Sequence, residues 1–263
     1  MAQTRYRASG AGVLLASLLL AGAGVAAEGT LSANQRISSV HLGYDLQYRV
    51  YRPADATADD KLPSLYVTDG QMYLGPGGIK TVLDAAIGSG AIEPVLVVFL
   101  DSRNPDNLRE SRRNAEFMCN TDFAKFFADE LVPAISREEP VSQLRDDRVV
   151  LGLSFGGLNS ACFGLALPEV FAGIAMQSPA SAAHVDVVRE LYEDREALPL
   201  KVFLSVGTKN DNQVAVKRFR RVLERKGYDL TYITVREGHN WKNWGPLLDD
   251  VLTTFFPARD EHE

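Results

Sequence analysis

The segment Gly152-Leu153-Ser154-Phe155-Gly156-Gly157 constrains this chain more than any other. It follows the apolar run 149–153 and opens an Ala- and Leu-rich stretch that Pro168 stops. Strand, abrupt turn and helix in that order make a nucleophile elbow, which lifts the serine hydroxyl above a sheet; glycines beside it remove side chains that the tight turn cannot hold. Gly-x-Ser-x-Gly alone is common in ordinary loops. Its setting adds weight, and so does Gly238-His239-Asn240-Trp241, 85 residues after the serine and between a late strand and the last helix. An early hydroxyl and an imidazole in the final strand-to-helix loop is the chain order of an α/β-hydrolase.

The rest of the pattern agrees. Residues 37–51 alternate apolar and polar side chains around a turn at 41–45, which predicts an antiparallel hairpin at a sheet edge. Strands are then expected at 62–68, 94–100, 149–153, 173–177, 201–206 and 229–235. Helices are expected at 78–87, 123–135 (capped by Thr121 or Asp122), 155–167, 183–192, 213–226 and 241–256. Near-continuous apolar strands alternating with amphipathic helices imply an α/β fold whose central sheet is mostly parallel, with an antiparallel N-terminal hairpin and helices on both faces. Ligands of such sheets bind beyond the carboxyl ends of the strands, where both Ser154 and His239 fall.

Residues 1–27 read as a secretory signal: Arg5 and Arg7, an apolar run from Ala11 to Leu20, then small residues ending at Ala26-Ala27. The apolar run is short for a membrane span, so cleavage after Ala27 is expected, with a periplasmic or secreted product and no stable membrane insertion. Residues 28–263 then form one domain of 236 residues. It carries 26 basic and 34 acidic side chains, a net −8, which disfavours nucleic acid as a partner. Cys119 and Cys162 are the two cysteines. Export permits a disulfide, but two unpaired structural thiols are expected. No His-x-x-x-His or Cys-x-x-Cys spacing suggests a metal site, and no cofactor is implied.

Of the four histidines, 41, 184, 239 and 262, only His239 follows the last strand, and it is the expected base for Ser154. Asp211 is the carboxylate in the loop after residues 201–206, either the acid that orients His239 or the cap of helix 213–226. The oxyanion hole is expected from the backbone N–H groups of Phe155 and Gln71, with Gly70 the next choice to Gln71. Arg103, Arg109, Arg112 and Arg113 cluster in the loop after a central strand, as a clamp for an anionic substrate or as a solvated loop neutralised by Asp101, Asp106, Glu110 and Glu116. Trp241 and Trp244 beside His239 offer an aromatic surface or plain packing.

Taken together, Tyr66-Val-Thr-Asp-Gly-Gln71, Arg113-Asn-Ala-Glu-Phe117, Phe126-Phe-Ala-Asp-Glu-Leu-Val-Pro133, the elbow, Gln177-Ser-Pro179 and Gly238-His-Asn-Trp241 resemble the esterase family that includes enterochelin (enterobactin) esterases and feruloyl esterases. The resemblance implies Ser154 as nucleophile, His239 as general base and Arg113 as a residue that meets the substrate; Arg112 from the arginine cluster and Trp241 beside His239 are the further expected substrate-binding residues. It implies a small-molecule ester as substrate: the trilactone of a catecholate ferric siderophore, or a feruloyl, acetyl or short-acyl ester. A non-catalytic siderophore-binding protein on the same fold is the reading from another class. There is one departure. The family's acid commonly stands where this chain has Asn210, so either Asp211 takes over or Ser154 and His239 act as a dyad.

Overall fold

A computed structural model describes residues 27–258; the expected signal segment, but for Ala27, and His262 lie outside the described residues. The strands are β1 (Thr30–Leu31), β2 (Gln35–Ser39), β3 (Tyr44–Arg52), β4 (Ser64–Val67), β5 (Leu96–Asp101), β6 (Arg103–Asn104), β7 (Asn107–Ser111), β8 (Arg148–Leu153), β9 (Gly173–Gln177), β10 (Lys201–Gly207) and β11 (Asp229–Val235). Nine of them form one sheet in the order β1-β3-β5-β4-β8-β9-β10-β11, with β2 also paired to β3. Everything from β5 to β11 in that order is parallel, and β1, β2 and β3 are antiparallel, as expected.

The strands read as unbroken apolar runs because they are covered twice. Tyr66, Val98 and Val150 enter a core under one face, with Phe123, Phe127, Phe163 and Phe171. Leu65, Val67, Val97, Phe99, Val149 and Leu151 enter a second core under the other, with Leu83, Leu248 and Val251. Neighbouring residues point to opposite faces, so both must be apolar. The helices on the first face include α6 (Phe155–Ala166), α7 (Ala182–Glu193) and α8 (Gln213–Lys226). Those on the second include α1 (Gly70–Leu74), α2 (Ile79–Gly88) and α10 (Leu248–Phe255).

Four local expectations need correction. The helix expected over 123–135 starts at α4 (Thr121–Lys125), widens to a π turn over Phe126–Leu131, and resumes as α5 (Val132–Glu138). Pro133 lacks an N–H and its ring crowds the preceding turn, so a widened turn just before it relieves the clash. Its cap is Asn120, whose side chain accepts from the N–H groups of Asp122 and Phe123, rather than Thr121 or Asp122. The final helix is split into α9 (Trp241–Trp244), a 3-10 turn at Gly245–Leu247 and α10, where Gly245-Pro246 interrupts the hydrogen-bond ladder. The arginine-rich loop contains the β6–β7 hairpin, whose second strand is exposed throughout.

The fourth correction concerns the thiols. Cys119 and Cys162 form a disulfide, with their Cα atoms 5.2 Å apart. Cys119 follows the short helix α3 (Arg113–Glu116), and Cys162 lies inside α6. The bridge staples the arginine-bearing segment to the elbow helix. Packing of α4 on α6 brings the two together, and that tertiary contact has no local signature in the sequence.

Among the described residues no helix is long and apolar enough to cross a membrane.

Candidate active site

Ser154 sits between the end of β8 and the start of α6 with φ 56° and ψ −120°, a backbone state that costs a non-glycine residue about 1–3 kcal/mol. The surroundings hold it there. Its N–H donates to the Gln177 carbonyl at 2.9 Å, and its own carbonyl accepts from Leu158 and Ala180. A Cβ on Gly152 would stand 2.2 Å from the Gly156 backbone, so the turn closes only with glycine at 152.

His239, in the loop after β11, brings its ring over the elbow. Its Nε2 lies 2.9 Å from Ser154 Oγ, and its Nδ1 lies 2.8 Å from Asp211 Oδ1. The Asp211 side chain is fully buried. Its Oδ2 accepts from Ser178 Oγ and the Gly207 N–H, both at 2.7 Å, and from Asn243 Nδ2 at 3.2 Å; its Oδ1 also accepts from the Asn212 N–H. Burial alone would push this carboxyl up, but the hydrogen bonds from His239, Ser178, Gly207 and Asn212 outweigh it and hold the carboxyl below the ordinary aspartate range. Asn210, where the family's acid was expected, takes a left-handed backbone with φ 50°. Asparagine tolerates that state, and the turn it makes carries Asp211, not Asn210, to the imidazole.

Phe155 is the first residue of α6 and Gln71 the second of α1, positions whose N–H groups have no partner inside their own helices. Gly70 between Asp69 and Gln71 packs on β5: a Cβ there would meet the Phe99 backbone at 2.6 Å. Arg113 Nε donates to both oxygens of the buried Asp69, at 2.8 and 2.7 Å, and its Nη2 reaches the Leu153 carbonyl at 3.3 Å. One guanidinium thereby joins the Asp69–Gln71 loop to the residue before the serine. Arg112 lies over the Tyr44 ring, 4.0 Å from its centre, and donates to the Asp45 carbonyl at 2.9 Å. Trp241 is half-buried, edge-on to Tyr73 and Trp244. The expected substrate residues Arg113, Arg112 and Trp241 therefore all make contacts within the protein.

A family model described as "Putative esterase" matches residues 39–255. The chain belongs to this esterase family. Among curated relatives, the uncharacterized protein YjcH of Bacillus subtilis (strain 168) is 24% identical over 232 residues, which are 83% of this chain and 94% of YjcH. The iron(III) salmochelin esterase of Escherichia coli O6:H1 is 26% identical over 243 residues, 85% of this chain and 58% of that protein. In fold, the chain is similar to enterobactin esterase from Shigella flexneri in the presence of enterobactin, with a TM-score of 0.75 at 24% identity over 87% of this chain and 60% of that one. It is also similar to a ferulic acid esterase, with a TM-score of 0.68 at 16% identity over 87% of this chain and 98% of that one. The chain thus spans about six-tenths of these two siderophore esterases and nearly all of the ferulic acid esterase.

Several residues around the site carry structure that sequence reasoning missed. Ser178, in a left-handed turn after β9, receives hydrogen bonds from Asn243 Nδ2 and Trp244 Nε1, both at 3.0 Å, and its own hydroxyl donates to Asp211. Asn243 Nδ2 also reaches the Gly238 carbonyl, which fixes the loop that carries His239. Trp244 stands edge-on to His239, 5.0 Å between ring centres. The sequence offers Trp244 as an aromatic surface or packing and Ser178 as part of a shared motif; that Trp244 holds the Ser178 hydroxyl, which in turn donates to Asp211, appears only in three dimensions. Glu116 is buried beside Tyr44, whose hydroxyl donates to it at 3.2 Å, and burial pushes its carboxyl up to about 8. Among the described residues no group of three or more His, Cys, Asp or Glu is placed to hold a metal ion.

Proposed function

We propose that this protein is an exported serine esterase that hydrolyses carboxylic esters through an acyl-enzyme on Ser154. The observation that carries the proposal is the continuous chain Ser154 Oγ, His239 Nε2, His239 Nδ1, Asp211 Oδ1, with hydrogen-bond spacing at both joints. His239 takes the hydroxyl proton while Oγ attacks the ester carbonyl. Asp211, held ionised, keeps the Nδ1 proton in place and stabilises the imidazolium that forms. The amides of Phe155 and Gln71 receive the oxyanion. His239 then protonates the leaving alcohol and activates a water that releases the acid. Asp211 makes the site a triad rather than a dyad. A binding protein would have no use for a strained serine aimed at a charge-backed imidazole.

The substrate proposed first is a catecholate siderophore trilactone, supported by the likeness to salmochelin and enterobactin esterases; its iron would arrive as part of the substrate. The second reading, a feruloyl or short-acyl ester, is favoured by the ferulic acid esterase, which the chain matches over nearly its full length. Export, with residues 28–263 as the mature single domain, is supported by the basic-apolar-small pattern of residues 1–27 and by the disulfide, which persists in oxidising compartments. Ferric enterobactin and methyl ferulate, incubated in parallel with wild type and Ser154→Ala, test the assignment by product analysis. Cleavage of one substrate by wild type and of neither by the variant is expected. Turnover retained by Ser154→Ala would overturn the mechanism.

A further inference from the structure

Arg103, Arg112 and Arg113, three of the arginines expected to meet the substrate, are committed to contacts within the protein, whereas Arg49, which the sequence did not single out, lines a cavity with no carboxylate partner among the described residues. A cavity of about 440 Å³ has Arg49, Phe99 and Asp101 in its lining. Its floor is β3 and β5, where Arg49 stands opposite Phe99 and Gln47 opposite Asp101. One wall is α1, through Gln71 and Leu74, and the other is the exposed β6–β7 hairpin, through Arg103 and Leu108. Arg103 is neutralised by Asp101, with Nε at 2.9 Å from Oδ1 and Nη2 at 2.6 Å from Oδ2. Arg49 Nε donates to the Ser32 carbonyl at 2.8 Å, and among the described residues no carboxylate pairs with its guanidinium. The lining therefore carries one uncompensated positive charge beside the apolar Leu74, Phe99 and Leu108. The side-chain Oε1 of Gln71 is buried without a hydrogen-bond partner, so this amide is not committed to the protein.

We propose that this cavity is the acyl-group subsite, that it selects esters whose acyl part ends in a single negative charge, and that Arg49 is the specificity-determining residue. The proposal rests on the serine-esterase reading above. Topology assigns the acyl side. His239 enters from beyond β11, on one side of the elbow strand β8, and the leaving alcohol must face it to receive a proton. The cavity lies on the other side, toward β3 and β5, and shares Gln71 with the loop that Arg113 ties to Leu153. A planar guanidinium with unpaired N–H donors suits a carboxylate, and the three apolar side chains suit the carbon chain that carries it.

The test compares kcat/KM for 4-nitrophenyl butyrate, which is neutral, with that for the 4-nitrophenyl monoester of glutaric acid, which carries a terminal carboxylate. Wild type is expected to favour the anionic ester by about tenfold or more, the size of one charge-assisted hydrogen bond. In Arg49→Gln the ratio should fall toward unity, chiefly through KM of the anionic ester, and Arg49→Lys should retain part of it. Leu108→Asp, on the exposed hairpin, should lower the ratio with Arg49 intact. Absence of anionic preference in wild type, or its survival in Arg49→Gln, would overturn the proposal while Ser154→Ala remains inactive. Equal rates in wild type and Ser154→Ala would instead overturn the serine mechanism.

Discussion

Two buried aspartates flank the elbow serine, and they are held in opposite ways. Asp211 receives hydrogen bonds from the side chains of Ser178, Asn243 and His239 and from two backbone N–H groups, and they keep its carboxyl below the ordinary range. Asp69 has Arg113 and a long contact from Ser102 at 3.4 Å; burial pushes its carboxyl up, and Arg113 pulls it back without cancelling the rise. Preorganised dipoles around Asp211 give it a stable negative charge that imidazolium can use. The Asp69–Arg113 pair spends its charge on holding two loops together. The same residue type, at similar depth beside the same serine, is thus an electrostatic partner on the His239 side and a brace on the Gln71 side.

The largest effect should come from Asp211→Asn. It removes the charge and favours the wrong imidazole tautomer, so kcat should fall by about 10³- to 10⁴-fold with the fold intact, measured by ester hydrolysis and thermal denaturation. A near-normal rate would make His239 self-sufficient and erase the distinction between the two aspartates. Asp69→Asn should behave differently. Leaving Arg113 without its buried partner should cost roughly 3–5 kcal/mol of stability by urea denaturation. Catalysis should fall by about 10- to 100-fold through displacement of the Asp69–Gln71 loop, with kcat rather than KM carrying the loss. Arg113→Gln should reproduce that profile, and the double variant should lose less than the sum because the two act as one unit. If Arg113→Gln changed KM for anionic esters alone, Arg113 would be a clamp and not a brace.

A smaller effect concerns Glu116, behind Arg113. Its carboxyl titrates near 8 in the fold against 4.5 when free, so between those values the folded protein holds a proton that the unfolded chain has released. The stability this group allows is present in full below about 4.5 and is lost as pH rises through about 8. Glu116→Gln should therefore gain roughly 4 kcal/mol relative to wild type between pH 5 and pH 9 in urea denaturation. Equal pH slopes would show that the group is ionised within the fold.

What was legible in the sequence follows from what is local. The apolar strands, the elbow and the glycine-preceded His239 each declare themselves within a few residues, because backbone sterics and two-faced burial act at that range. Asp211 was legible by position in its loop, though only the left-handed turn at Asn210 shows why it, one residue late, meets the imidazole. Contacts across long separations were not legible. Arg113 and Asp69 are 44 residues apart, Cys119 and Cys162 are 43, and Ser178 and Asn243 are 65. Arg113 read as a substrate clamp because a run of arginines announces charge without announcing its partner. Arg49 was passed over for the converse reason: within a strand pattern it looks like an outward-facing residue, and only the sheet order sets it in a cavity beside α1.

Hydrolysis through an acyl-enzyme requires Ser154 to be an activated nucleophile. Intact-protein and peptide mass spectrometry after brief exposure to a fluorophosphonate tests this most directly. One adduct per chain on the Ser154 peptide is expected, sharply slowed in Asp211→Asn and His239→Ala. No adduct in a wild-type protein that still hydrolyses esters, or an adduct on a different residue, would contradict it.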